Sequence, residues 1–189
     1  MTQAMRSLEA AFLVGVEGVT EIWLVRHGDC YEGMTDGPDP ALSPTGHRQA
    51  ERLAQRIKQL QPAAVYASPA LRARETARHI KEDVRVDDRL MEMTFELGDA
   101  GEIIFTESPA DVVARMTAAI DEMVAAHPTQ LVVAVGHAGA IVNYLTDVMR
   151  LEPGHLRILP YFTSVSVVRA LGDRRMVGAL GDTGHLESR

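Results

Sequence analysis

The chain has 189 residues, of which 46% are hydrophobic, 24% charged and 5% aromatic, and 19 basic against 26 acidic side chains give a formal charge of −7. At roughly 150 residues per domain this is one domain's length, and the single cysteine, Cys30, excludes an internal disulfide framework and a thiol-rich zinc site. The acidic balance argues against nucleic acid or an anionic membrane as partner, and no apolar run approaches the roughly 20 residues that span a bilayer, so a soluble protein of the reducing cytoplasm is expected.

Residues 1–20 read as an N-terminal extension, frayed or lightly docked, ahead of one domain over 21–189. Arg6 and the apolar residues 10–16 have a trace of a signal peptide, but Glu9 and Glu17 flank a stretch too short for one. Residues 21–25 (EIWLV) form a short apolar run typical of a buried strand, and a loop rich in Gly, Pro and Asp follows. Ser43 is placed to cap a helix with Pro44 at its first position, and Ala50, Leu53, Ala54, Ile57 and Leu60 recur at the spacing of one helical face. A second strand is predicted over 63–67, and a helix from Pro69 to about Ile80. Helices are predicted over 109–126 and 138–150, with a strand at 131–135 between them. Residues 164–170 and 176–180 flank a Gly-Asp turn as a hairpin, and 181–189 form a polar, partly mobile tail. Strands alternating with helices predict an α/β three-layer sandwich, with a mostly parallel central sheet, helices on both faces and a C-terminal β-hairpin.

Parallel sheets place ligands beyond the carboxyl ends of their strands. The first strand runs into Arg26-His27-Gly28, the second into Ser68-Pro69 and a helix carrying Arg72 and Arg74, the third into Gly136-His137-Ala138-Gly139. An arginine fork binds phosphate oxygens bidentately, and a helix start at Ala138 and Gly139 offers backbone N–H groups to an anion. A neutral imidazole is a competent nucleophile towards phosphorus, and nearby guanidinium charges keep it neutral. Two-step phosphoryl transfer through a phosphohistidine then needs arginines and a second histidine around the peripheral oxygens, and no metal.

Leu24-Val25-Arg26-His27-Gly28 resembles the signature of the histidine phosphatase superfamily, the group of the cofactor-dependent phosphoglycerate mutases. The resemblance continues through Leu42-Ser43-Pro44-Thr45-Gly46, Ser68-Pro69-Ala70-Leu71-Arg72-Ala73 with Thr76-Ala77, Gly136-His137-Ala138-Gly139, and the closing Gly181-Asp182-Thr183-Gly184-His185-Leu186. It implies a metal-independent phosphohydrolase without cofactor, acting on a small phosphorylated substrate or a phosphoprotein. His27 would be the phosphorylated nucleophile. Arg26, Arg72, His137 and the Ala138 backbone would bind phosphate, and Glu92 would be the general acid and base, with Glu96, Asp99 and Glu102 as substitutes. The family's usual threonine after Asp29 is Cys30 here, read as a wall residue. Its usual asparagine is not evident in 31–35, and its pattern after Glu92 is reduced.

Two alternatives stay open: a phosphoglycerate mutase-type phosphotransferase, and a catalytically weak phospho-ligand binding protein. The family's mutases carry longer insertions with extra arginines, which this compact chain lacks, so hydrolysis is favoured. The loop over 29–39 holds only acidic charges, and between Arg89 and Arg115 lie Glu92, Glu96, Asp99, Glu102, Glu107 and Asp111 with no Lys or Arg. An acidic rim would disfavour a second anionic group on the substrate. His47, His79, His127 and His155 show no metal-ligand spacing, His185 is expected to border the pocket, and the chain gives no oligomeric signature beyond allowing a homodimer.

Overall fold

The computed structural model describes residues 2–31 and 39–187. Helix α1 (Gln3–Ala11) occupies the expected extension, capped by Thr2, and buries none of its side chains. The extension is nonetheless fastened where it ends: Leu13 is buried, and Arg174 donates to the Ala11 carbonyl at 2.6 Å.

Strand β1 (Thr20–Arg26) leads to α2 (Pro44–Lys58), where Ser43 Oγ accepts from the Gly46 N–H at 3.0 Å as an N-cap. Then come β2 (Ala64–Ala67), α3 (Leu71–Ile80), β3 (Val84–Val86) and a 3-10 turn at Asp88–Leu90. The short hairpin of β4 (Phe95–Leu97) and β5 (Ile103–Phe105) precedes α4 (Pro109–Ala126), β6 (Leu131–Gly136) and α5 (Ala138–Val148). The antiparallel β7 (Val165–Leu171) and β8 (Arg174–Asp182) finish the sheet, and a 3-10 turn at Gly184–Leu186 packs on α2. The tail expected to be mobile is thus ordered through residue 187, while residues 188–189 lie outside the described residues.

The main sheet has the order β3-β2-β6-β1-β7-β8, with β3, β2, β6 and β1 mutually parallel and β7 antiparallel to β1. Alternate residues of a strand face opposite sides, and the core divides accordingly. Ile22 and Leu24 of β1 pack with Val112, Met116 and Ile120 of α4 and with Ile141 and Leu145 of α5. Trp23 and Val25 pack with Leu53 and Ile57 of α2 and with Ala73 and Ile80 of α3. Two helices on each face make the three-layer sandwich. Among the described residues no helix is long and apolar enough to cross a membrane.

Candidate active site

In a parallel sheet a ligand crevice forms where neighbouring strands send their connections to opposite faces. β1 leads into α2 on one face and β6 into α5 on the other, and these strands are direct neighbours with Arg26 opposite Gly136. The next residue on each is a histidine. The His27 N–H donates to the Gly136 carbonyl at 3.0 Å, and the rings of His27 and His137 lie with centroids 5.2 Å apart.

Arg72, in the first turn of α3, joins them. Its Nε donates to His27 Nε2 at 3.2 Å, and its Nη2 donates to His137 Nδ1 at 3.2 Å. A guanidinium only donates, so both ring nitrogens facing it carry lone pairs. The opposite nitrogens then hold the protons: His27 Nδ1 donates to the Gly28 carbonyl at 2.7 Å, and His137 Nε2 donates to Ser68 Oγ at 2.9 Å. Burial favours these neutral rings, since an imidazolium would lose its hydration. Loss of solvation, reinforced by the Arg72 charge, lowers His27 from 6.5 to about 3 and His137 to about 2.

Arg26 closes the group from the other side. Its Nη1 donates to the Pro160 carbonyl at 2.8 Å, and its guanidinium lies 4.0 Å over the Phe162 ring. Its Nε is one of five buried side-chain polar atoms without a hydrogen-bond partner among the described residues. A half-buried cation therefore keeps an unused, buried donor.

Local packing explains why these motifs hold this shape. The Gly28 N–H donates to Thr76 Oγ1 at 2.9 Å, and Thr76 Oγ1 donates to the Arg72 carbonyl at 2.7 Å, which ties the loop after His27 to α3. The Asp29 N–H donates to Gln49 Oε1 at 2.8 Å, and Ser43 Oγ donates to the Asp29 carboxylate. A side chain on Gly46 would overlap the Asp29 carbonyl, so only glycine lets the loop press against α2. On the far side Thr163 holds φ at +58°, rare for a β-branched residue. Its N–H donates to the carbonyls of Arg26 at 3.0 Å and His27 at 3.2 Å.

Glu92 sits at the start of α5. Its carboxylate accepts from the N–H groups of Met93 at 2.8 Å, Gly139 at 3.1 Å and Ala140 at 2.9 Å, and its charge acts on Arg26. This corrects one expectation. The helix start at Gly139 does not offer its donors to an outside anion, because the chain's own carboxylate takes them. The Ala138 N–H makes no hydrogen bond among the described residues. The alternatives Glu96, Asp99 and Glu102 belong to the β4–β5 hairpin, where Glu102 accepts from the Ala100 N–H at 3.1 Å; none bonds to the histidine group among the described residues.

The acidic rim is likewise redrawn. Asp39 accepts twice from the Leu71 N–H, at 2.8 and 3.0 Å, Glu107 pairs with Arg115 at 2.6 Å, and Asp111 accepts from Ser108 Oγ at 2.7 Å. With Asp29 and Glu92 also engaged, most of these carboxylates fasten helix starts and loops, where backbone N–H groups need acceptors. Asp39 also stands 3.6 Å from Arg72 Nη1, so one carboxylate of this set lies at the site itself. Glu32, Asp36 and the stretch 32–35 fall outside the described residues.

Other expectations resolve individually. Cys30 bridges Leu42 through its backbone, beside Arg26. His185 Nε2 hydrogen-bonds with Thr163 Oγ1 at 3.0 Å, the residue whose N–H donates to the Arg26 and His27 carbonyls. His47 and His79 meet across α2 and α3 at 3.1 Å, but no group of three or more potential metal ligands occurs among the described residues. Sequence reasoning missed the orienting role of Ser68, although its motif was visible, and it missed the 160–163 loop, which has no readable signal.

With this geometry in hand the family is clear: the profile of the histidine phosphatase superfamily (branch 1) matches residues 22–102 and 96–183, and the chain belongs to it. Among solved structures it resembles phosphoserine phosphatase from Entamoeba histolytica in complex with 3-phosphoglyceric acid, at TM-score 0.77 and 21% identity over 89% of this chain and 100% of that one. It also resembles Bacillus stearothermophilus YhfR, at 0.75 and 24% over 89% and 100%. A mycobacterial glucosyl-3-phosphoglycerate phosphatase follows at 0.71 and 23% over 85% and 98%. A search of curated proteins gave no match.

Proposed function

We propose that this protein hydrolyses phosphomonoesters in two steps through a phosphohistidine on His27. The observation that carries the reading is the fixed tautomer of His27, whose Nδ1 proton is committed to Gly28 while Nε2 presents its lone pair between Arg72 and His137. A phosphoryl group entering here gives Arg72 better acceptors than an imidazole nitrogen. Arg26, Arg72, His137 and the Ala138 N–H grip the peripheral oxygens, and His137 donates from Nδ1 after taking the acidic proton of the bound phosphomonoester monoanion. His27 Nε2 then attacks phosphorus in line, forming the N–P bond as the ester O–P bond breaks. Glu92, once it has taken up a proton from solvent, supplies it to the leaving oxygen. In the second step water attacks phosphorus, Glu92 takes its proton, and the N–P bond breaks to release phosphate. No step calls for a metal or cofactor. The structural neighbours, one bound to 3-phosphoglyceric acid and another a glucosyl-3-phosphoglycerate phosphatase, support a small phosphorylated substrate.

The test is to incubate the protein with p-nitrophenyl phosphate, quench in alkali and assay acid-labile protein phosphate. Wild type should carry it and His27→Ala should lack both it and turnover. Phosphate binding without turnover would make the chain a binding protein, and bisphosphoglycerate-dependent interconversion of phosphoglycerates would make it a mutase.

A further inference from the structure

A second cation-rich feature lies beside the site. Arg48, Arg52 and Arg56 fall one turn apart on α2, forming a single basic stripe on a protein of net charge −7. Arg56 is neutralised by Asp182 at 2.6 Å. The other two are held by uncharged oxygens: Arg48 donates to Thr45 Oγ1 at 2.9 Å and Arg52 to the Leu186 carbonyl at 2.8 Å. No ion pair joins either to a carboxylate among the described residues, the adjoining Glu187 included. Each guanidinium has five N–H donors, so one neutral tether orients it and leaves the rest for a ligand.

Between them opens a groove of about 270 Å³ lined by Thr45, Arg48, Gln49, Arg52, Tyr161 and Leu186. Two of its walls belong to the reaction centre's own supports. Gln49 holds the Asp29 N–H, two residues past the nucleophile. The Tyr161 ring stands 5.7 Å from that of Phe162, which stands 5.8 Å from His27 and lies under Arg26.

We infer that this groove is a subsite for a distal anionic group, a carboxylate or a second phosphate, on the substrate whose phosphoryl group enters at His27. The inference rests on the hydrolase reading and adds a substrate class to it: elongated phosphomonoesters whose far end is an anion. The linker crosses Phe162 and Tyr161, whose rings offer an apolar path, and the far anion meets Arg48 and Arg52.

The experiment uses phosphomonoesters of ω-hydroxycarboxylic acids of increasing chain length, each beside its uncharged amide. Wild type should show kcat/KM at least ~10-fold higher for the acid than the amide at one preferred length, the scale of one or two charge-assisted hydrogen bonds. The preference should shrink as salt is raised. In R48Q/R52Q the acid-to-amide ratio should fall to about one. A wild-type ratio near one at every length, or an unchanged ratio in the double variant, overturns the subsite. Equilibrium binding of the same pairs to His27→Ala protein reads the subsite apart from chemistry. Equal affinities for acid and amide overturn it even where turnover is seen, whereas a preserved preference with no turnover in wild type overturns the hydrolase reading alone.

Discussion

Arg72 donates through Nε to the Nε2 of His27 at 3.2 Å, so the residue assigned to grip phosphoryl oxygens already holds the nitrogen assigned to attack phosphorus. Removing it strips a preorganised donor from both rings. Arg72→Ala is expected to lower kcat/KM on p-nitrophenyl phosphate by on the order of 10²-fold or more. Arg72→Lys should recover little, because a single ammonium cannot reproduce a planar fork that spans two imidazoles. Steady-state kinetics of the three proteins decide it.

Ser68 accepts the Nε2 proton of His137 at 2.9 Å in full burial. Ser68→Ala leaves a buried N–H with no acceptor, which costs roughly 1–3 kcal/mol. The urea midpoint should fall accordingly, and phosphate affinity should fall with it because the ring is no longer held towards Arg72. A variant with wild-type midpoint and affinity would remove Ser68 from the machinery.

Acid should weaken the fold through the two buried histidines. Their pKa values lie near 3 and 2 in the folded protein against 6.5 for the ordinary side chain. Below 6.5 the unfolded chain therefore binds protons that the folded chain refuses, and stability falls as pH falls. The contribution is fully present above about 6.5 and declines towards 3, by up to roughly 1.4 kcal/mol per pH unit for each ring. Denaturation curves at pH 7.5, 6.0 and 5.0 should show the decline, with a shallower slope in His27→Ala. Imidazole resonances of His27 that titrate near 6.5 would contradict the assignment.

Two glycines separate packing from chemistry. Gly46→Ala drives a methyl into the Asp29 carbonyl and should destabilise by about 1–3 kcal/mol. A Cβ on Gly139 would stand 2.7 Å from Glu92 Oε1. Gly139→Ala should therefore displace that carboxylate and lower turnover well before it lowers the melting temperature. Calorimetry and kinetics on the same preparations test both.

Much of this was readable from the chain because the reaction centre lies at strand ends and helix starts. EIWLV, Ser43-Pro44 and the apolar spacing of α2 predicted their elements, and Arg26, His27, Arg72 and His137 all followed predicted strands or a predicted helix start. The unread parts have local reasons. β3, β4 and β5 have three residues each, too few for a period to show, and β4 and β5 expose their side chains on every position. The Arg26–Phe162 stack joins residues far apart in sequence, and Thr163 adopts a backbone conformation that its side chain disfavours. The acidic residues were visible, but not their partners, which only the fold brings to them.

Register gives the last consequence. His27 and His137 extend two hydrogen-bonded strands by one residue each, in step with the pair Arg26 and Gly136. A slide of β1 along β6 would carry one imidazole away from the other by a whole peptide and bury a wrong side chain in its stead. Turnover in this enzyme class candidate is thus a gauge of sheet alignment, and core substitutions beneath the strands should silence it without any change at the reacting atoms.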